Sequence, residues 1–202
     1  MRSIVLTTTV FVLFCLFPDV SKAQGFKREL RDELLVRRER DQAARLECAK
    51  GTGEEQIKCL IKALEEIDKP NTKWLNAVFE EHGFPAVDLV GADGVKAFFL
   101  LLQHSGDLAL KEKCRAGIER AFQEKVLSPS EYASFVDRLL TDQKKPQIYG
   151  SNFESRDGKL VMSPAEDIKN LDARRKQIGL PPMADYVKML KEFYKLEVVL
   201  EQ

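Results

Sequence analysis

The sequence is poor in the residues that most often build a metal centre or a nucleic-acid-binding surface. It has only two histidines, His82 and His104, so a centre made mainly of histidine is excluded, although carboxylates alone could hold a hard cation. Its 32 Lys and Arg residues are balanced by 32 Asp and Glu residues, whereas a surface that binds phosphate backbones needs a surplus of basic side chains. We therefore expect neither a metal nor a nucleic acid as a partner.

The sequence also lacks the short motifs of common catalytic sites. No GxSxG, HExxH, Walker A or GxGxxG segment is present. Nothing therefore predicts a serine nucleophile, a zinc protease or a bound nucleotide, and we expect no cofactor. These absences leave open whether the protein is an enzyme, because acid–base catalysis needs only a histidine or a few carboxylates in the right place.

Only four cysteines occur, and none has the CxxC spacing of a redox or zinc motif. Cys15 lies in the apolar N-terminal segment, which leaves Cys48, Cys59 and Cys114. A turn around residues 50–53 separates two helical stretches, and an antiparallel helical hairpin there would bring Cys48 and Cys59 together. We predict a disulfide between these two and expect Cys114 to be buried as a small apolar residue.

The first 23 residues have the three parts of a secretory signal peptide. Arg2 provides the positive end, residues 4–17 the apolar stretch, and Ser21-Lys22-Ala23 a small-x-small cleavage site. We predict export to the periplasm or the cell exterior; the alternative is that the segment is retained as an anchor. No later apolar run has the roughly 20 residues that a membrane span requires, so we expect no span in the mature chain.

Apolar residues recur at helical spacing through most of residues 24–202, and five consecutive ones at 98–102 predict a helix buried on every side. Ser128 and Ser163 each precede a proline and are followed three residues later by Glu, the pattern of a capping box. Asp157-Gly158 joins two strand-like runs, as in a hairpin turn. We therefore predict a single, mainly α domain over residues 24–202, with about seven helices and one small β-hairpin near residues 147–162.

Two groups of polar residues could carry out chemistry. His104 lies three residues before Asp107 at the end of the predicted buried helix, and a histidine beside a carboxylate can act as an acid–base pair. The second group comes from a later helix and the hairpin: Asp137, Arg138, Gln147 and Tyr149. A structural interpretation stays open for both groups, since Asp107 can cap the next helix and Tyr149 can serve in packing.

Short motifs that contain most of these groups follow one another along the chain: Asp41-Gln42-x-x-Arg45, Asp68-x-x-Asn71, His82-Gly83-Phe84-Pro85, Val90-Gly91, Gln103-His104-Ser105-Gly106-Asp107, Asp137-Arg138, Gln147-Ile148-Tyr149-Gly150-Ser151, and Arg174-Arg175 with Gly179-Leu180-Pro181. This series resembles an uncharacterised bacterial family, domain of unknown function 6624. The resemblance implies that the scattered polar groups belong to one recurring pattern. It implies no particular activity.

Because polar groups are costly to bury unless they are paired, we expect nine of them to converge on one face: Asp41, Gln42, Arg45, His104, Asp107, Asp137, Arg138, Gln147 and Tyr149. We favour an exported, non-catalytic binding or interaction domain with a polar cluster around His104, whose partner is an unknown protein or small-molecule ligand. The alternative is a hydrolase-like enzyme that uses His104 with Asp107 or Asp137 as its acid–base pair. An enzyme would present these groups in an open, concave pocket.

Overall fold

A computed structural model of the protein describes residues 25–200. The predicted signal peptide, residues 1–23, lies outside the described residues. The prediction of a mainly α fold is confirmed, because helices make up most of the described chain and its three strands are short. No helix between residues 25 and 200 is both long enough and apolar enough to cross a membrane.

The described chain contains seven continuous helices, in agreement with the predicted number. The second of them has three segments that follow without a break: α2, a π-helical turn and α3. The segments are α1, Arg28–Cys48; α2, Gly53–Ala63; the π-helical turn, Leu64–Asp68; α3, Lys69–His82; α4, Val87–His104; α5, Leu108–Gln123; α6, Pro129–Asp142; α7, Leu171–Gln177, preceded by a 3-10 turn at Ile168–Asn170; and α8, Met183–Tyr194.

Pro70 lies within the second continuous helix and does not interrupt it, although proline lacks the backbone N–H that a residue inside a helix normally donates. The π-helical turn immediately before it accommodates the proline. In that turn the Lys69 N–H donates to the Leu64 carbonyl, five residues back instead of four. The wider turn therefore carries the helix past Pro70, and its last residue, Asp68, becomes part of the candidate site.

α4 is the core helix of the fold, as the apolar run at 98–102 predicts. Phe98, Phe99, Leu101 and Leu102 are all buried in it. They pack with buried side chains from α1, α3, α5 and α6 in one continuous hydrophobic cluster. Gly91 divides the helix into a short first turn and a long second part, since its φ of 74° lies in the region that glycine adopts most readily. The polar end of the long part leaves the core at His104.

α1 and α4 lie side by side and run in the same direction. At their starts, the Lys27 N–H donates to the Leu89 carbonyl at 2.7 Å. Further along the two helices, Arg31 of α1 forms an ion pair with Asp93 of α4. Ten residues after Arg31, Asp41 of α1 contacts His104 of α4. This parallel packing places the second half of α1 against the polar end of α4.

One of the two predicted capping boxes forms. Ser128 accepts from the Glu131 N–H and the Glu131 side chain accepts from the Ser128 N–H, which starts α6. The helix start predicted at Ser163 is wrong. There the backbone is extended, because the Ser163 N–H donates to the Asn152 carbonyl and the Pro164 carbonyl accepts from the Gln147 N–H. Hydrogen bonds to a distant loop therefore override the local helix signal.

The predicted β-hairpin is confirmed, and a third strand joins it. β1, Phe153–Arg156, pairs antiparallel with β2, Lys159–Met162, through a turn in which Asp157 and Gly158 both have positive φ. β3, Glu197–Val199, pairs parallel to β2 and was not predicted. Residues 147–152, expected to be part of the hairpin, form a loop that is bound to α6.

Cys48 and Cys59, the pair for which the sequence favours a bridge, are joined by a disulfide with their Cα atoms 5.3 Å apart. The bond ties the end of α1 to α2, which otherwise buries only Ala63. Cys114 is a free, buried cysteine, and burial raises the pKa of its thiol to about 12. A thiol in that state is a packing group and not a nucleophile.

Candidate functional site

Three buried or half-buried polar residues meet where α1, the π-helical turn and α4 come together. Asp41 is only 1% exposed on α1, Asp68 is buried at the end of the π-helical turn, and His104 lies at the last position of α4. Buried carboxylates are costly unless they are compensated by hydrogen bonds or opposite charge. Their compensation defines the geometry of the site.

Asp41 binds the imidazole of His104 directly. Both carboxylate oxygens of Asp41 lie 2.9 Å from His104 Nδ1. Since a carboxylate can only accept, this contact requires a proton on Nδ1, and a neutral ring then carries its free lone pair on Nε2. Arg45 Nε also lies 3.0 Å from Nδ1, and that contact would be a hydrogen bond only for the opposite tautomer. Asp41 presents two negatively charged oxygens to Nδ1, whereas Arg45 presents one nitrogen of a positively charged group. Two attractive contacts outweigh one repulsive contact, so the tautomer with the proton on Nδ1 is favoured.

Arg45 links the two buried carboxylates. Its Nη2 donates to Asp68 Oδ1 at 2.7 Å and lies 3.3 Å from Asp41 Oδ1. Burial alone would raise the pKa of Asp41, but the hydrogen bond and charge of His104, the amide of Gln42 and the charge of Arg45 together outweigh it and lower that pKa. Asp41 therefore stays ionised at neutral pH and holds the His104 ring in a fixed orientation.

The same residues have the composition of a small metal site. One ligand atom each from Asp41, Asp68 and His104 can be chosen so that the three lie within 4.8 Å of one another. The guanidinium of Arg45 already contacts both carboxylates, so it supplies the positive charge that a metal would otherwise provide. A metal ion would have to displace Arg45 to bind there.

His104 and Arg45 line an open cavity of about 590 Å³, which we call the His104 cavity. Its charged lining comprises four cations and two carboxylates: Arg45, Lys111, Arg138, Lys144, Asp68 and Asp142. Lys111 is buried and donates to Asp142 at 2.9 Å, while Arg45 is bound by Asp68. Arg138 and Lys144 are exposed and form no ion pair within residues 25–200. The cavity therefore carries unbalanced positive charge beside an oriented histidine.

The prediction that nine polar residues converge on one face is wrong, because eight of them fall into two separate clusters and Asp107 belongs to neither. Gln42 belongs with His104, because its amide donates to Asp41 at 2.8 Å, and Arg138 lines the same cavity. Asp107 follows His104 but has other partners: its oxygens accept from the Leu110 N–H and the Asn76 amide, so it caps α5. Both hydrogen bonds lower the pKa of Asp107, and the bond from the Leu110 N–H has the larger effect.

The second cluster surrounds Asp137, which is fully buried on α6. Its two oxygens accept four hydrogen bonds, from the N–H groups of Ile148, Tyr149 and Ser151 and from the Ser151 hydroxyl, at 2.7–2.9 Å. Gln147 is also fully buried and bonds to the Asn152 backbone and the Ser163 carbonyl. These side chains hold the loop at residues 147–152 against the helix.

Tyr149 belongs to the second cluster and lines a different cavity from His104. Its ring packs against Tyr132 with centroids 6.2 Å apart. Burial, with neighbouring Tyr132 and Asp137 adding to it, raises the pKa of the Tyr149 hydroxyl to about 12. Tyr149 therefore stays protonated at physiological pH.

Several cavity residues were missed as site candidates: Asp68, Lys111, Asp142 and Lys144. Asp68 was visible within a motif, but nothing in its spacing relates it to Arg45, which is 23 residues away. Lys111 and Asp142 are 31 residues apart on different helices. Only the packing of α5 on α6 brings this pair to the cavity, so no local sequence signal identifies it.

Comparison with known proteins identifies a family but no characterised relative. No curated protein matches the chain significantly. No solved structure does so either. One family model, described as a family of unknown function (DUF6624), matches residues 28–199, which include both polar clusters. The chain therefore belongs to the family of unknown function DUF6624.

Proposed function

We propose that the protein is an exported binding domain whose His104 cavity takes a small, multiply charged anion, such as a phosphate ester or a polycarboxylate. One observation carries the proposal: Arg138 and Lys144 are cations on the cavity wall that no carboxylate of the described chain neutralises. Planar guanidinium groups match carboxylate and phosphate oxygens well, and lysine adds a mobile point charge.

The other charges of the cavity are consistent with this role. Asp68 faces Arg45 at 2.7 Å and Asp142 faces Lys111 at 2.9 Å, so each acidic group of the lining already contacts a cation, although Arg45 shares its one charge between Asp68 and Asp41. An anion entering the cavity would meet Arg138 and Lys144 without a competing carboxylate. Because the Nδ1 proton of His104 is directed at Asp41, the ring can donate to the anion from Nε2 only when both ring nitrogens carry a proton.

The test is thermal-shift and calorimetric titration of the protein without its signal peptide against inorganic phosphate, pyrophosphate and citrate. A ligand that binds the native state raises the melting temperature by mass action. The double variant Arg138→Ala/Lys144→Ala should lose about tenfold or more in affinity, which is about 1.4 kcal/mol. Arg120→Ala/Lys169→Ala removes the same charges at exposed positions outside the cavity and should bind normally. Absence of binding by all three anions would refute the proposal.

A second candidate function is acid–base catalysis by His104 on a substrate held in the cavity. The observation that favours it is the Asp41–His104 pair, in which Asp41 fixes Nδ1 and leaves Nε2 as the ring nitrogen available to a substrate or a water molecule. Asp41 is therefore the carboxylate that pairs with His104, the role for which the sequence suggested Asp107 or Asp137. The carboxylates of those two residues are occupied by a helix cap and by the loop.

The catalytic candidate is tested by hydrolysis assays with chromogenic phosphate and carboxylic esters. His104→Gln should reduce any turnover by about 10²-fold or more, since that is the usual contribution of a positioned acid–base group. His82→Gln, the other histidine of the chain, is the matched control and should retain activity. If anions bind but no ester is hydrolysed, the non-catalytic binding function stands alone.

Export is part of the proposal and rests on residues 1–23 together with the Cys48–Cys59 disulfide, because disulfides persist mainly in oxidising compartments. Expression of the full chain in a bacterial host followed by fractionation tests it. The exported product should begin at Gln24. A product in the cytoplasm with an intact N-terminus would refute this part.

A further inference from the structure

Arg175 on α7 is a further cation that no carboxylate of the described chain contacts, in a place unrelated to the His104 cavity. It is only 1% exposed and is the largest side chain among those that are completely buried. Arginine is almost never buried to this extent unless an acidic group pairs with it. Within residues 25–200 no carboxylate lies in ion-pair contact with Arg175.

The partners of the Arg175 guanidinium are neutral. Nε donates to the Pro181 carbonyl at 2.8 Å, and Nη1 donates to the Tyr149 carbonyl at 2.7 Å. The carbon of the guanidinium lies 4.9 Å from the centre of the Tyr186 ring, which adds a cation–π contact. Of the five N–H groups of a guanidinium, these bonds use two, and Nη2 has no acceptor in the described part of the chain.

Burial lowers the pKa of Arg175, partly offset by Tyr186, Asp172 and Asp137. Arginine nevertheless keeps its proton in proteins, so the buried charge persists. Asp137 does not pair with it, because the four hydrogen bonds that Asp137 accepts all come from the loop at residues 148–151. Asp172 accepts from the Met183 N–H.

A cavity of about 130 Å³ adjoins Arg175, and we call it the Arg175 cavity. Its other lining residues are mainly apolar or hydroxyl-bearing: Ala133, Leu180, Pro181, Tyr186, Met189, Ser130, Ser134 and Ser151. The Ser151 hydroxyl already donates to Asp137, whereas that of Ser134 accepts from Gln103 and can still donate. Arg175 is the one charged residue among these lining residues.

We propose that the Arg175 cavity is a binding site for a single carboxylate group carried on a small apolar body. One carboxylate balances one guanidinium, and its two oxygens match the remaining N–H groups of the fork. A dianion would leave one charge uncompensated, because the lining has no second cation. The apolar walls made by Leu180, Pro181 and Met189 suit a short aliphatic chain, and the volume admits only a few carbon atoms.

The carboxylate could belong to a free short-chain acid or to the C-terminus of a peptide with a small last residue. The experiment uses calorimetry on the protein without its signal peptide, with propionate, propionamide, Gly-Ala and Gly-Ala amide as probes. Propionate binding identifies a free acid as sufficient, and binding of Gly-Ala alone identifies a peptide terminus. In either case the amide counterpart should bind at least about tenfold more weakly, since it lacks the charge that Arg175 requires.

Substitution of Arg175 would also remove its hydrogen bonds to the Pro181 and Tyr149 carbonyls. Loss of binding in such a variant could then result from unfolding, so it would not test the site. Met189→Trp is the better variant, because Met189 lines the cavity and its side chain is half exposed. It should reduce carboxylate affinity by about tenfold or more while the melting temperature stays close to that of the unaltered protein. Ala184→Trp, an exposed position on the same helix outside the cavity, is the matched control and should bind normally.

Three outcomes would overturn the proposal: neither propionate nor Gly-Ala binds, acid and amide bind equally well, or the Met189→Trp protein binds as tightly as the unaltered one. Since phosphate and citrate are directed to the His104 cavity, the two sites are separable. Arg138→Ala/Lys144→Ala should weaken phosphate binding and leave propionate binding unchanged.

Discussion

Both carboxylate oxygens of Asp41 lie 2.9 Å from Nδ1 of His104, although 63 residues separate the two in the chain. An earlier contact between the same two helices has nearly the same separation: Arg31 and Asp93, which form an ion pair, are 62 residues apart. α1 and α4 therefore advance together from their starts to the site. The position of Asp41 beside His104 is a consequence of how these two long helices pack.

The first prediction concerns the stability that Asp41 contributes. Asp41→Asn keeps the shape of the side chain but removes the charge that balances His104 and Arg45 in a buried setting. We expect a loss of about 2 kcal/mol in the free energy of unfolding, measured by urea denaturation. Asp32→Asn on the same helix removes an exposed carboxylate that pairs with Arg31, and it should change stability by less than about 0.5 kcal/mol. Equal effects of the two substitutions would contradict the assignment of Asp41.

The second prediction follows from the lowered pKa of Asp41. A carboxyl group whose pKa is lower in the folded than in the unfolded chain adds stability above the unfolded value, about 3.9 for Asp, and that stability is lost as the pH falls through the folded pKa. The difference in unfolding free energy between the unaltered protein and Asp41→Asn should therefore be largest near neutral pH. It should shrink below about pH 4. A difference that grows on acidification would show that the sign is wrong.

The helical fold could be predicted because its signals are local. The apolar run at 98–102, the Ser128 capping box and the Asp157-Gly158 turn each depend on neighbouring residues. The failed helix start at Ser163 has the same local pattern as Ser128. It fails because backbone groups of residues 163–166 bond to residues 147 and 152, and nothing nearby in the sequence records that competition.

The candidate site was predictable only in part, for a related reason. Asp41, Arg45 and His104 could be selected as polar groups in motifs, but the partner of His104 depends on the packing of α1 against α4. Asp137 shows the reverse case. A buried carboxylate that anchors a loop has the same residue type as a catalytic one, and only its four hydrogen-bond donors distinguish the two roles.

The third prediction tests Asp137 as the anchor of that loop. Asp137→Ala would leave three backbone N–H groups without an acceptor, and we expect a loss of about 3 kcal/mol in unfolding free energy. Hydrogen exchange at Ile148, Tyr149 and Ser151 should accelerate more than exchange in α4. The neighbouring exposed Arg138→Ala should leave both stability and exchange unchanged. Unaltered exchange in the loop of Asp137→Ala would refute the anchoring role.

The fourth prediction concerns the contact between α5 and the segment before α4. Gly117 is buried on α5, and a Cβ placed there would overlap the Cβ and ring of Phe84. Phe84 packs edge-on against Phe98 of the core helix, with ring centroids 5.3 Å apart, so it has little room to move away. Alanine in place of glycine normally stabilises a helix by about 1 kcal/mol, but overpacking a core costs about 1–3 kcal/mol or more.

We therefore expect Gly117→Ala to lower the free energy of unfolding by about 2 kcal/mol in urea denaturation, in spite of its better helix propensity. Gly106→Ala is the matched control, because a Cβ at that position meets no atom within 4 Å, and it should be close to neutral. Phe84→Ala removes Cγ and Cδ1, two of the three Phe84 atoms that the new Cβ would overlap, so the double variant Gly117→Ala/Phe84→Ala should lose less than the sum of the two single losses. A Gly117→Ala protein as stable as the unaltered one would show that Phe84 can move, and that the contact with α5 does not fix it against the core.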